Sequence, residues 1–117
     1  MYRQINFYRQ RDGRCPVRVF LDSLSGKEAQ KVVWVLQLIE DLERIPGNYF
    51  KKLAGTEDIW ECRIQLGTND YRILGFFIEN SELVLTHGFI KKSQKTPLRE
   101  IEKAQEYRKD FLKRRLK

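Results

Sequence analysis

Apolar residues recur along this chain at two spacings, and the switches between them divide it into elements. Ile5-Asn6-Phe7-Tyr8 is a short β-prone run followed at once by the turn chemistry of Arg11-Asp12-Gly13-Arg14, so an opening strand is expected. Pro16 suits the first position of a helix. Val17, Phe20, Leu21 and Leu24 then fall at i, i+3, i+4 and i+7 and give that brief helix one apolar face. Ser25-Gly26-Lys27-Glu28 reads as a capping box, in which hydroxyl and carboxylate satisfy the donors exposed at the start of a second, longer helix. Ala29, Val32, Val33, Leu36, Ile39 and Leu42 continue it, and Pro46-Gly47 stops it. Trp34, Val35 and Leu38 widen the stripe, which implies cover on more than one side.

After the basic, glycine-containing loop Lys51-Lys52-Leu53-Ala54-Gly55 the period becomes two. Trp60, Cys62, Ile64 and Leu66 point one way and Glu61, Arg63 and Gln65 the other, as in a half-buried strand. Gly67-Thr68-Asn69-Asp70 turns the chain, residues 71–78 are apolar enough for a central strand, Asn80-Ser81 turns it again, and residues 83–90 complete an antiparallel meander. A last helix starts near Pro97 and runs through Leu98, Ile101, Ala104, Phe111, Leu112 and Leu116 with Lys and Arg on its other faces.

Placing the first hairpin about Thr68-Asn69 and the second about Asn80-Ser81 sets Arg72 opposite Gln65 and Phe89, and Leu74 opposite Arg63 and His87. Arg63, Arg72 and His87 then share one sheet surface, and Trp60, Ile64, Ile73 and Phe77 the other, under the long helix. A one-residue slip would separate the group.

Composition sharpens this picture. The 117 residues fit one domain, 1–117, able to bury a modest core, and 41% hydrophobic with 33% charged residues excludes collagenous and disordered classes. The apolar run at residues 73–78 is too short to cross a bilayer, and the first residues lack the apolar stretch of a secretory signal, so a cytoplasmic protein without membrane association is expected. Cys15 and Cys62 form no Cys-x-x-Cys pair, and neither a metal nor another cofactor is expected. The net charge of +7 lies wholly in residues 91–117, which carry eleven Lys or Arg against four acids. A neutral body with one cationic segment implies a footprint for phosphates.

Two fixed cations and an imidazole, with Lys91, Lys92 and Lys95 just beyond the last strand, suit RNA cleavage without a metal. The neighbouring 2′-hydroxyl supplies the nucleophile, and preorganised cations stabilise the charge gathered in the phosphorane transition state. Arg63 and Arg72 are candidates for that role, and His87, which titrates near neutrality, for proton transfer. Duller readings stand beside these. His87 as a packed, hydrogen-bonded residue, Arg63 and Arg72 as surface ion pairs with Glu61 and Asp70, and the basic helix as a solvated face are each consistent with the sequence. Trp34 and Trp60 read as core residues and Cys62 as a small hydrophobe.

RCPVRVFLDSL (residues 14–24), IWECRI (59–64), YRILGFF (71–77) and especially HGFIKKSQKTP (87–97), with EIEKA after it, resemble the phage-derived, HigB-like branch of the RelE/ParE toxin superfamily. The likeness runs from about Ile5 to Arg108. It implies a small α+β domain of RelE-like kind: an N-terminal strand and two helices packed on a curved antiparallel sheet, with a C-terminal basic helix. It also implies the toxin of a type II toxin-antitoxin pair, a ribosome-dependent endoribonuclease that cuts messenger RNA. The implied partners are the ribosome, the message and a helix-turn-helix, HigA-like antitoxin, with operator DNA met only through the antitoxin complex. By the resemblance Arg72 is the arginine of the family's Tyr-Arg pair, Arg63 a basic position of the preceding strand and Lys92 a basic residue after the last strand, the positions that contact the scissile phosphate. Lys91, Lys95, Arg99 and Lys103 are expected to hold RNA or ribosome. Two positions depart from the family: a second lysine is Gln65 here, and a tyrosine near the chain's end is Leu98. The superfamily also holds ParE-like gyrase poisons, so a non-enzymatic gyrase-binding toxin and an inactive basic nucleic-acid-binding module stay open as alternatives.

Overall fold

The structure, a computed structural model, describes residues 2–116; Met1 and Lys117, the ends of the expected domain, lie outside the described residues. The elements in chain order are β1 (Gln4–Phe7), α1 (Pro16–Asp22), α2 (Gly26–Asp41), β2 (Phe50–Lys52), β3 (Trp60–Leu66), β4 (Asn69–Ile78), β5 (Glu82–Lys91) and α3 (Leu98–Arg115). The five strands make one sheet in the order β1-β5-β4-β3-β2. β2 to β5 form an antiparallel meander, and β1 lies parallel to β5 along its first half. The sheet is therefore mixed where an antiparallel one was expected: α1 and α2 carry the chain to the far edge at β2, and the meander that starts there brings β5 alongside β1 in the same direction.

The helices start where their caps place them. Pro16 opens α1, and the Ser25–Glu28 capping box closes with Glu28 N donating to Ser25 Oγ at 3.2 Å and Ser25 N donating to Glu28 Oε1 at 2.8 Å. α1 and α2 cover one sheet face, where Val17, Val32, Val35 and Ile39 meet Cys62, Ile64, Tyr71 and Ile73. α3 crosses the other face, and Ala104 with Tyr107 and Phe111 meets Leu74, Phe76 and Val84. The Tyr71 hydroxyl donates to Glu28, so the β4 strand is bolted to the start of α2 through the cap itself.

Three details depart from the pattern. Lys51 and Lys52, expected to open a loop, belong to the edge strand Phe50–Lys52; two exposed lysines leave no alternation to detect, and such charges suit an unprotected sheet edge. Trp34 is 49% exposed and Val33 53%, so α2 is covered on one side only; the indole lies edge-on to Tyr49 and beneath the Lys31 ammonium instead of in the core. The first hairpin turns about Gly67-Thr68, with glycine at φ 63°, the geometry that favours glycine at the first central position. Pairing therefore slides by two residues relative to the expected register, and Arg63 faces Arg72 directly.

Candidate phosphate-binding site

Each sheet face inherits its side chains from the alternation along the strands. On the α3 face, aligned rows run across β3, β4 and β5: Glu61, Leu74 and His87, then Arg63, Arg72 and Phe89, then Gln65, Asp70 and Lys91. α3 covers the first row; the second is half-buried around a buried Arg72, and the third is the most open. The expected company of Arg63, Arg72 and His87 on one face is present, but the side chains divide into two groups.

The first group is built on Glu61, which is 1% exposed. Its Oε1 accepts from Arg63 Nε at 2.9 Å and lies 3.5 Å from Arg72 Nε, and its other oxygen accepts from the Thr96 hydroxyl. Like charges directly opposite across two strands repel, and this carboxylate lets the two guanidiniums share the row. Arg72 is 8% exposed, not the open cation that the sequence implied. Its Nη1 donates to the carbonyl of Tyr71 at 3.2 Å, while its buried Nε meets no hydrogen-bond acceptor among the described residues. Both arginines line a cavity of about 150 Å³ together with Asn48, Gln65 and Asp70. A second cavity, of about 550 Å³, shares Asp70 and is bounded by Asn69, Lys91, Lys92 and Gln94. Lys91 Nζ donates to the carbonyl of Gln94 at 2.7 Å, and Lys92 and Lys95 are exposed beside it.

The second group surrounds Glu100 in the first turn of α3. His87 is 5% exposed, with Nε2 at 3.0 Å from Glu100 Oε1 and Nδ1 at 3.1 Å from the Thr86 hydroxyl. Nε2–H donates to the carboxylate, while the Thr86 hydroxyl, with a single proton, lies 3.1 Å from both Nδ1 and the Leu74 carbonyl. Burial pushes the imidazole below its ordinary value; the Glu100 carboxylate opposes that shift, and the Lys103 ammonium adds to it. Arg99 and Lys103 lie 3.8 and 4.0 Å from Glu100, so these two expected RNA-binding cations sit around the histidine and not around Arg72. Thr86 is the extra residue of a β-bulge between the Leu74 and Gly75 pairings, and the bulge turns it toward His87 on the α3 side.

Further along α3 the charge is partly structural. Arg114 donates to Asp110 at 2.7 Å and lies over the Tyr8 ring, and Arg108 pairs with Glu57 at 3.3 Å. The Tyr8 hydroxyl, donating to Asp110, is pushed up to about 12, by burial first and by that carboxylate next. Cys62 is wholly buried, which raises its thiol and leaves it packed as a small apolar group. Thr96 and Glu100 were not singled out by sequence; Glu61 was named there only as a surface ion-pair partner of the arginines, and it pairs with both, but buried. Glu61 was legible in principle, since it alternates with Arg63 and so had to share its face. Among the described residues no three His, Cys, Asp or Glu are grouped to hold a metal ion, and no helix is long and apolar enough to cross a membrane.

An α+β fold with paired guanidiniums lining a cavity, and Lys91 and Lys92 lining the next, defines a small basic protein of RelE-like architecture. The family model described as "Phage derived protein Gp49-like" matches residues 19–109, and the chain belongs to that family, which is of the RelE-like, toxin-like kind. Among curated proteins no match is found.

Proposed function

We propose that the protein is the toxin of a type II toxin-antitoxin pair, of the HigB-like branch, and that it cleaves messenger RNA on the ribosome. The observation that carries this reading is the cross-strand Arg63–Arg72 pair, held by Glu61, with both arginines lining one cavity. A buried guanidinium held in place with donors to spare is preorganised for an oxyanion and needs no rearrangement when charge develops on it. The message's own 2′-hydroxyl attacks the phosphorus and gives up its proton to water, the 5′-oxygen of the next nucleotide leaves and takes a proton from water to become a hydroxyl, and a 2′,3′-cyclic phosphate remains. Arg63 and Arg72 stabilise the phosphorane oxygens, Lys92 adds charge from beyond the strand, and Lys91 and Lys95 hold the flanking backbone. His87 has both ring nitrogens engaged, so we assign it to holding α3 against the sheet and not to proton transfer. An antitoxin of helix-turn-helix type is the expected partner, and the adjacent gene is where it is sought.

The test is brief induction of wild type, Arg63→Ala and Arg72→Ala, with mapping of message ends and matched protein levels. Wild type is expected to cut within translated reading frames, and Arg72→Ala to abolish both cutting and growth arrest. Growth arrest with uncut messages and broken chromosomal DNA would replace this reading with the gyrase-directed one.

A further inference from the structure

In the most open row of the sheet face one residue has the wrong sign. Asp70 is a half-buried carboxylate set between Gln65 and Lys91 and two positions from Arg72 on the same face. It forms no ion pair among the described residues; its cross-strand neighbour Lys91 donates to the Gln94 carbonyl instead. Asp70 also forms the wall common to the two cavities, the smaller holding the arginines and the larger bounded by Lys91 and Lys92. A carboxylate placed along a phosphate track repels the backbone that the cations attract. It gains a partner where the ligand presents hydrogen-bond donors, and in RNA these are the ribose 2′-hydroxyl, alike in every nucleotide, and the N–H groups of the base edges, which differ from base to base.

The geometry points to Asp70 as the residue that reads the base beside the bound phosphate, accepting from the exocyclic amino group of adenine, cytosine or guanine and rejecting uracil. Uracil has no amino group, and its two carbonyl oxygens flank the single ring N–H and face the carboxylate oxygens. This rests on the reading of Arg63 and Arg72 as phosphate ligands, and it adds selectivity that those arginines cannot provide, since every nucleotide carries the same phosphate.

The test uses the purified full chain and four 2′-O-methyl trinucleotides, which cannot be cleaved, differing only in the central base. The uracil member is expected to bind at least about tenfold more weakly than the other three, the low end of discrimination by one good base contact. In Asp70→Asn the new amide donates to a uracil carbonyl, so the gap is expected to close. Equal binding of all four, no binding of any, or a gap that persists in Asp70→Asn overturns the assignment. Message mapping separates this from the cleavage reading. Cut messages with uracil-blind binding discard Asp70 alone, whereas base discrimination by the purified protein with uncut messages keeps Asp70 and discards cleavage.

Discussion

Removing Glu61 tests whether the paired guanidiniums are held as described. Glu61→Ala leaves Arg72, 8% exposed, and Arg63, with 30% of its side chain exposed, facing one another across two strands with no counter-charge. Breaking a buried ion pair from one side costs about 3–5 kcal/mol, and the solvent reaching Arg63 puts this case at the lower end, about 3 kcal/mol. For a chain of this length about 4 °C of Tm corresponds to 1 kcal/mol, so a fall of about 12 °C is expected. Glu61→Gln keeps the shape and an acceptor but loses the charge, and about 1–2 kcal/mol is expected for the weakened bonds. The assay is urea unfolding at pH 7, with Tm by circular dichroism as a second readout. Arg72→Met provides the control: combined with Glu61→Ala it removes one of the stranded cations, so the double variant is expected to be more stable than the sum of the two single losses by about 1–3 kcal/mol. Strict additivity, or a Glu61→Ala loss below about 1 kcal/mol, would refute the claim that this carboxylate lets the arginines share a row.

Other expectations follow from single contacts. His87 titrates lower in the folded chain than its unfolded value of about 6.5, so the unfolded state binds more protons just below that pH. The stability it contributes is present above about pH 6.5 and is lost as pH falls toward the folded value; urea midpoints at pH 7.5 and 5.5 are expected to differ less in His87→Gln than in wild type. A Cβ on Gly88 would stand 2.3 Å from Phe20 Cδ2, so Gly88→Ala is expected to cost about 1–3 kcal/mol by overpacking, and Phe20→Leu to restore part of it; a Tm equal to wild type would contradict that packing. Lys92→Ala and Lys95→Ala are expected each to make ribosome binding less salt-dependent, by about one unit of log–log slope in pelleting assays, and an unchanged slope would remove that lysine from the footprint.

How much of this was legible in the sequence depends on which distances matter. Helix starts depend on neighbours in the chain, and Pro16, Ser25 and Pro97 marked them within a residue. The meander was legible because strand faces alternate every residue. The direction of β1 was not, since it is decided by where the chain returns after α1 and α2, and no local pattern records that. Trp34 misled for a related reason: a stripe widens on paper whenever a large apolar residue adjoins it, but cover is supplied by another element, and none reaches that side of α2.

The site shows the same division more sharply. Moving a hairpin's turn by one residue slides its cross-strand pairs by two, and two residues along a strand is one full period, so every side chain keeps its face while changing its partner. That is why Arg63, Arg72 and His87 fell on one surface even though Gly67, and not Asn69, sets the turn. It is also why their contacts could not be read. With the true register Arg63 meets Arg72, and the repulsion between them demands a carboxylate on the same face, which the alternation supplies at Glu61 two residues back. His87, level with Leu74, falls under the first turn of α3, where Glu100 claims it. The helix that covers one row thus separates the cations: Arg63, Arg72, Lys91 and Lys92 line the two cavities beyond it, whereas Arg99 and Lys103 lie beside the carboxylate that holds the imidazole, with their side chains 85% and 50% exposed.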